Sequence, residues 1–206
     1  MKRLVMTTLV LTMFGCAGKS LMEAVAPQYE AQSDCGFAQD VQGERQTWHS
    51  TPIELYIHNS FPQVFYPALT SAIKDWETAV GRPLFQIKGN VQGPVSPRMD
   101  GKNIIYYYTT NWAPNTALSQ GMTDTNTTGN AVKEADIKIN AVNFRFYQDD
   151  RATGSIHMES LLVHELGHVL GLKHTPGDSV MNPLLPVYTI RNKPTDLDIS
   201  NIHCGY

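Results

Sequence analysis

The alternation of hydrophobic and polar positions changes its period along the chain, and each change predicts an element. Residues 53–58 alternate apolar and polar side chains, which is the two-residue period of a strand with one buried face. Between residues 63 and 80 the apolar side chains recur every three or four positions, the period of an amphipathic helix. Gly81 and Pro83 predict the end of that helix, because glycine caps a helix and proline cannot continue it.

Four further segments carry strand patterns. Residues 84–87 form a short apolar run, and residues 103–110 are rich in isoleucine and tyrosine, which favour strands. Residues 116–124 predict another strand, and a turn at 126–130 would join it to an alternating segment at 132–140. An exposed edge strand in this hairpin could pair with an extended peptide through main-chain hydrogen bonds.

Two segments are predicted to be irregular. Residues 89–101 contain several glycines and prolines, and residues 143–154 show neither period. Asp149 and Asp150 lie in the second segment. This carboxylate pair could bind calcium, or it could simply belong to a solvated loop.

Two helices are predicted after this loop. The first covers residues 155–170 and the second begins near Thr195, because Thr195 and Asp198 have the spacing of a capping box. The side chains expected to face the core from the second helix are Leu197, Ile199 and Ile202.

Composition and charge narrow the class of protein. The 206 residues are 42% hydrophobic and 17% charged, which is typical of one globular domain with its own core. The formal net charge of -3 offers no basic surface for nucleic acid. We therefore expect no nucleic-acid partner. We also expect a monomer.

The first residues predict an export signal. Two basic residues precede the apolar stretch 4–14, which is too short to span a membrane as a helix. Gly15 and Cys16 follow, and this ending resembles the lipobox of bacterial lipoproteins. The resemblance implies that residues 1–15 are a signal peptide and that Cys16 carries the lipid. The protein would then be membrane-anchored in the bacterial envelope, facing the periplasm or the exterior; ordinary secretion is the alternative.

The remaining cysteines bear on the start of the folded domain. Residues 16–47 are predicted to be a lipidated tether and N-terminal segment, followed by the domain at 48–206. With Cys16 lipidated, Cys35 and Cys204 remain, and such a pair in an exported protein suggests a disulfide. The disulfide would join the start of the folded part to its last residues.

The strongest candidate chemistry lies at residues 164–174, His-Glu-Leu-Gly-His-Val-Leu-Gly-Leu-Lys-His. His164 and His168 are four residues apart, so they share one face of a helix and could bind one zinc ion. Gly171 can end the helix and turn the chain, so that His174 returns as a third ligand. Three histidines leave the fourth tetrahedral position open, as in catalytic rather than structural zinc sites.

Glu165 is placed beside the first ligand, where it could act as a general base toward water in the hydrolysis of a peptide bond. A lone His-Glu-x-x-His pattern could instead be a solvated helix face, but the added Gly171 and His174 favour zinc. Two other functions stay open: a catalytically silent zinc-containing binding or structural lipoprotein, and a zinc amidase for cell-wall peptides. The predicted peptide-pairing edge strand favours an endopeptidase over the amidase.

The motif resembles that of the metzincin zinc peptidases. Ser179-Val180-Met181 follows the third histidine, and Met181 stands where that family has a methionine turn beneath the metal. Thr175 directly after His174 is closest to the matrixin branch, and position 183 lacks the tyrosine of the astacin and serralysin branches. The order of the predicted elements extends the resemblance over residues 48–206.

The resemblance implies an α/β (α+β) zincin-like fold, with a twisted five-stranded mixed sheet and about three helices. The active-site cleft would lie beneath an antiparallel edge strand near residues 117–123. It also implies an endopeptidase whose zinc is held by His164, His168 and His174, with Glu165 as general base. The candidate substrate-binding residues are Ala117, Leu118, Ser119, Pro183 and Tyr188.

The chain departs from the matrixin pattern ahead of the domain. Matrixin zymogens usually carry a Pro-Arg-Cys-Gly switch whose thiolate caps the zinc, and here Ser33-Asp34-Cys35-Gly36 keeps only the last two residues. Cys35 could still cap the zinc, and the disulfide with Cys204 is the other possibility. The ligand set of the family's second zinc site is not recognisable in the sequence.

Overall fold

The computed structural model describes residues 34–149 and 154–206. The predictions for the signal peptide, for lipid on Cys16 and for Asp150 therefore lie outside the described residues. Within the described part, no helix is both long and apolar enough to span a membrane.

A five-stranded mixed sheet forms the frame of the molecule. Its strands are β1 (Ile53–His58), β2 (Phe85–Val91), β3 (Asn103–Tyr108), β4 (Gly121–Thr128) and β5 (Ala131–Asn140). They lie side by side in the order β2-β1-β3-β5-β4. All neighbours pair in parallel except β4, which is antiparallel to β5 and forms one edge. The predicted fold class is confirmed, including the antiparallel edge strand.

Three helices complete the fold: α1 (Tyr66–Val80), α2 (Met158–Val169) and α3 (Asp196–Ile202). The apolar side chains that recur every three or four positions along α1 form its buried face, as predicted. Trp76 of this face is fully buried, and its indole N–H donates to Val163 O of α2 at 2.8 Å. Gly81 ends α1 with a φ of 78°, a left-handed conformation that glycine adopts without steric cost. The main core therefore includes the packed faces of α1 and α2.

The edge strand begins later than predicted. Residues 114–116 form a 3-10 turn, and β4 starts only at Gly121. Asn140 explains the shift, because its side-chain amide donates to Ala117 O and Ser119 O and so takes these carbonyls out of strand pairing. At the other edge β2 runs on to Val91, into the segment predicted to be a loop, since it continues to pair with β1 past a bulge.

The segment before α2 is also different from the prediction. Residues 155–157 form the short strand β7 (Ser155–His157), which pairs in parallel with β6 (Arg145–Tyr147), so α2 begins at Met158. The pairing joins residues ten apart in the sequence, and the helical pattern of apolar positions does not reveal it.

The capping box of α3 is present, with Thr195 and Asp198 each accepting from the other's backbone N–H. Ile202 is fully buried, but Leu197 is 43% exposed and its predicted inward orientation is wrong. Asp198 takes an inward position instead and is fully buried. A charged side chain can occupy that place because four neighbouring donors, described below, surround it.

Candidate active site

Helix α2 holds two imidazoles face to edge in the cleft. The Nε2 atoms of His164 and His168 are 3.1 Å apart. The Nδ1 atom of His164 is 2.8 Å from Val180 O, and that of His168 is 2.7 Å from Leu172 O. A carbonyl oxygen has no hydrogen to donate, so both Nδ1 atoms must carry the proton. Both Nε2 atoms of the neutral rings are therefore bare acceptors pointing at each other.

This arrangement fits a bound cation. Burial lowers the pKa of His164 to about 3 and the pKa of His168 to about 4, so neither ring is protonated near neutral pH. Two facing lone pairs repel unless a cation lies between them. Two nitrogens bound to one tetrahedral zinc at about 2.0–2.1 Å lie about 3.3 Å apart, close to the spacing of these atoms.

The loop after α2 brings the third histidine to the same point. The ligand atoms of His164, His168 and His174 all lie within 4.8 Å of one another. Gly171 turns the chain with a φ of 96°, and Leu172 N donates back to Gly167 O at 3.0 Å. A Cβ at position 171 would stand 2.1 Å from Gln46 O, so glycine is required there for space as well as for conformation.

Glu165 lines the same cleft as the three histidines and is 2% exposed. Its Oε2 accepts a hydrogen bond from Thr123 Oγ1 of the edge strand at 2.7 Å. A Cβ at Gly121 would stand 2.4 Å from its Oε1, so the missing side chain lets the edge strand approach the carboxylate. Burial raises the pKa of Glu165 to about 7, while the Thr123 hydrogen bond and the charge of Lys138 oppose that rise.

Met181 is buried and packs against α2 at Gly167. Its sulfur would be 2.3 Å from a Cβ at Gly167, the residue of α2 between the two helical histidines, so the absence of a side chain at Gly167 lets the thioether lie directly against the helix backbone. The turn containing Met181 is held by Asp198, which accepts from Ser179 Oγ and from Val180 N. The same carboxylate accepts from Thr195 N and Thr195 Oγ1. Asp198 thus links the capping box of α3 to the floor of the site.

A cleft of about 840 Å³ passes over these groups. The edge strand β4 and the residues before it form one wall, and residues 182–186 form the other. Of the predicted substrate-binding residues, Leu118, Ser119 and Pro183 line this cleft.

Ala117 and Tyr188 are not among the described residues that line the cleft. Ala117 O is engaged by Asn140 and Asn143, and the Tyr188 hydroxyl accepts from Gly154 N at 2.8 Å. Both assignments came from the family resemblance, which does not show the direction in which a particular loop residue turns.

The two cysteines of the described part are joined to each other. Cys35 and Cys204 form a disulfide with their Cα atoms 6.2 Å apart, across 169 residues of sequence. In this structure Cys35 is therefore not a zinc-capping thiolate. Asp149, the described member of the predicted calcium pair, is exposed. Within residues 34–149 and 154–206, the histidine triad is the cluster that could hold a metal ion.

Several residues of the site were not identified from the sequence. Thr123, Gly121 and Gln120 belong to the edge-strand wall, and Arg191 donates to Asn182 O and Leu184 O of the opposite wall. The alternation of Gly121 and Thr123 on one face of a strand was the available signal for two of them. Nothing in the sequence pattern marks Gln120 or Arg191.

Comparison with known proteins gives a family match and similarity to solved structures. The family model described as Matrixin matches residues 12–206. No protein in the curated set matches the chain. Among solved structures the chain is similar to high choriolytic enzyme 1, a hatching enzyme zinc-protease from the medaka fish Oryzias latipes. The two share 13% identity over 84% of this chain and 94% of that chain, with a TM-score of 0.37.

Proposed function

Because the chain belongs to the matrixin family of zinc metallopeptidases, we propose that it is an endopeptidase that cleaves proteins outside the cytoplasm. One observation carries the proposal: three histidines converge beside a buried carboxylate within an open cleft. A purely structural zinc site would need a fourth protein ligand and would not need that carboxylate.

His164, His168 and His174 would hold the metal through Nε2 or Nδ1. Val180 O and Leu172 O fix the rings of the first two by accepting from Nδ1, which leaves Nε2 directed at the metal. Zinc, when bound there, polarises a carbonyl and acidifies a water molecule.

Glu165 supplies the proton transfers. Thr123 engages Oε2, so we assign proton acceptance from the attacking water to Oε1. A carboxylate that is buried in the same cleft as the three histidines can take a proton from water and then give it to the leaving amine. Gly121 keeps the edge strand close to this carboxylate and so helps to exclude bulk water from it.

The substrate would bind as an extended chain along β4. This strand is an edge of the sheet, so its outer main-chain groups can pair with a peptide. Leu118, Ser119 and Pro183 would contact the side chains of that peptide from the two walls.

Cleavage of a proteome-derived peptide library by the zinc-loaded protein tests the proposal. We expect internal cleavage that stops when a chelator removes the zinc and returns when zinc is added back. Protein that retains one zinc per chain but cleaves no peptide would instead support the catalytically silent alternative. Release of terminal residues alone would contradict the endopeptidase assignment.

We also propose that the protein is exported and anchored through lipid on Cys16. The support is the apolar stretch at residues 4–14 and the small residue before that cysteine. Expression with an alkyne-labelled fatty acid, followed by membrane fractionation, tests it. The wild type should take up label and pellet with membranes, whereas Cys16→Ala should do neither. Unlabelled wild-type protein in the medium would indicate ordinary secretion.

A further inference from the structure

One side chain crosses the cleft from wall to wall. Gln120, which precedes β4, donates its side-chain N–H to Leu185 O on the opposite wall at 2.8 Å. Both residues line the cleft that contains the three histidines. We call this hydrogen bond the Gln120 latch.

Each wall is held in place without the latch. On the β4 side, Asn140 donates its side-chain N–H to Ser119 O at 2.9 Å and its backbone N–H to Gln120 O at 2.9 Å. Asn140 is fully buried, so this anchor is rigid. The backbone of residues 119–120 therefore stays fixed when the Gln120 side chain moves.

The opposite wall has its own anchor in Arg191. The guanidinium donates to Leu184 O at 2.9 Å and to Asn182 O at 2.6 Å. Opening the latch thus costs the hydrogen bond between Gln120 and Leu185 and a change of side-chain rotamer, with no rearrangement of either wall.

The latch also occupies an acceptor that a substrate can use. The Gln120 side chain donates an amide N–H to the main-chain carbonyl of Leu185. An extended peptide can form the same kind of hydrogen bond with one of its backbone N–H groups. A peptide that passes this point must displace Gln120, and it can then donate to Leu185 O in its place. A peptide that ends before this point leaves the latch closed.

We propose that Gln120 is a specificity-determining residue that closes one end of the cleft and opens for substrates whose chain continues past it. This inference rests on the endopeptidase function proposed above. The substrates favoured are extended polypeptide segments with a free main-chain N–H at that position, and a proline there is disfavoured because it has no N–H to offer.

Two series of fluorescence-quenched peptides test the latch. Both share the same residues around the scissile bond, and one is lengthened stepwise toward the amino end, the other toward the carboxyl end. For each series we compare kcat/KM of the longest and the shortest peptide. In Gln120→Ala this ratio should rise roughly three- to tenfold in one series. The long peptides of that series no longer have to break the neutral hydrogen bond between Gln120 and Leu185 O before they bind. The change should appear in KM rather than in kcat.

Two further variants separate the latch from general damage. Gln120→Glu keeps the side-chain size but has no N–H for Leu185 O, so it should shift the ratio in the same series. Gln86→Ala removes an exposed glutamine from β2 at the far edge of the sheet and should match the wild type. The proposal is wrong if the ratio stays at the wild-type value in both Gln120 variants, or if both series change equally.

Failure of the endopeptidase function has a different signature. If the zinc-loaded wild type cleaves none of the peptides, the proposed function fails, and the latch is then tested by binding of the same peptides with a fluorescent label. Fluorescence anisotropy should show tighter binding of long peptides to Gln120→Ala than to the wild type in one series. Equal affinities for both proteins would overturn the latch.

Discussion

At the scale of single residues, the site is defined by which atoms are already engaged. The Nδ1 atoms of His164 and His168 donate hydrogen bonds to carbonyl oxygens, so their Nε2 atoms face each other. Thr123 donates a hydrogen bond to one carboxylate oxygen of Glu165. These hydrogen bonds leave three histidine nitrogens and the other oxygen of Glu165 available to zinc and water.

Glu165→Gln tests the role of the carboxylate. The amide keeps the shape of the side chain but cannot accept the proton, so we expect kcat to fall roughly a hundred- to ten-thousandfold. Zinc content measured by atomic absorption should stay at the wild-type value, because Glu165 is not a ligand. Glu44→Gln, at an exposed position, is the matched control. Wild-type turnover in Glu165→Gln would exclude the proposed general base.

Asp136 on β5 is a buried carboxyl group away from the site. It is 2% exposed and accepts from Ile104 N at 2.8 Å and from Arg98 N at 3.3 Å. Burial raises the pKa of Asp136 to about 7, and the charges of Glu134 and Asp100 add to the rise while the two hydrogen bonds oppose it. The folded state therefore binds this proton more tightly than the unfolded chain.

The linked prediction concerns stability against pH. Since the folded pKa of Asp136 is raised, its contribution to stability is complete below the unfolded pKa of 3.8 and is lost as the pH rises through about 7. Asp136→Asn should remove this dependence. From pH 4 to 8 the wild type should lose on the order of 4 kcal/mol of unfolding free energy relative to the variant. Urea unfolding of both proteins at each pH measures it, and parallel curves would contradict the raised pKa.

At the scale of elements, the N-terminal segment 34–48 connects parts that are distant in the sequence. Lys173 N donates to Gly36 O at 2.7 Å, and Ala38 N donates to Gly171 O at 2.8 Å. Farther on, Thr47 bonds to the β4–β5 hairpin at both its N–H and its carbonyl. The segment therefore supports the loop that delivers His174, and the disulfide holds its start.

Removing the disulfide should weaken both the fold and the metal site. In Cys35→Ser/Cys204→Ser we expect the unfolding free energy to fall by about 2 to 5 kcal/mol, because a very long loop is no longer closed. Zinc should also be lost to a competing chelator more readily, since the backbone around Gly171 and Lys173 is less well held. Reductant should produce both effects in the wild type and neither in the double variant. Equal stability of the two proteins would contradict the prediction.

At the scale of the whole molecule, the sheet and α2 meet at the metal site. The edge strand contributes Thr123 and Gly121, α2 contributes two histidines and Glu165, and the turn fixed by α3 contributes Met181. A metal held by α2 and the following loop, beneath these contacts, should therefore stabilise the domain as a unit.

Zinc removal tests this coupling. A chelator should lower the melting temperature in calorimetry, because free zinc at a thousandfold above Kd contributes about 4 kcal/mol to the folded state. Adding zinc back should restore the melting temperature, whereas calcium should not, since histidine nitrogens bind calcium poorly. An unchanged melting temperature after complete zinc removal would contradict the coupling.

The sequence by itself determined the features that depend on neighbours a few residues apart. The spacing of His164, Glu165 and His168 on one helix, the glycine that ends it, and the capping box at Thr195 are all local. The periods of two and of about 3.6 residues also placed most strands and helices, because they reflect burial of one face of each element.

Only the tertiary structure decided the contacts between distant segments. Thr123 meets Glu165 across 42 residues, and Gln120 meets Leu185 across 65. The start of β4 at Gly121 depends in the same way on the hydrogen bond between Asn140 and Ser119, 21 residues apart. The pairing of β6 with β7 joins residues only ten apart, but no helical or strand period reveals it. The orientation of a loop side chain depends on the partner that the fold brings close to it, as with Tyr188, whose hydroxyl accepts from Gly154 N. No local periodicity in the sequence predicts that orientation.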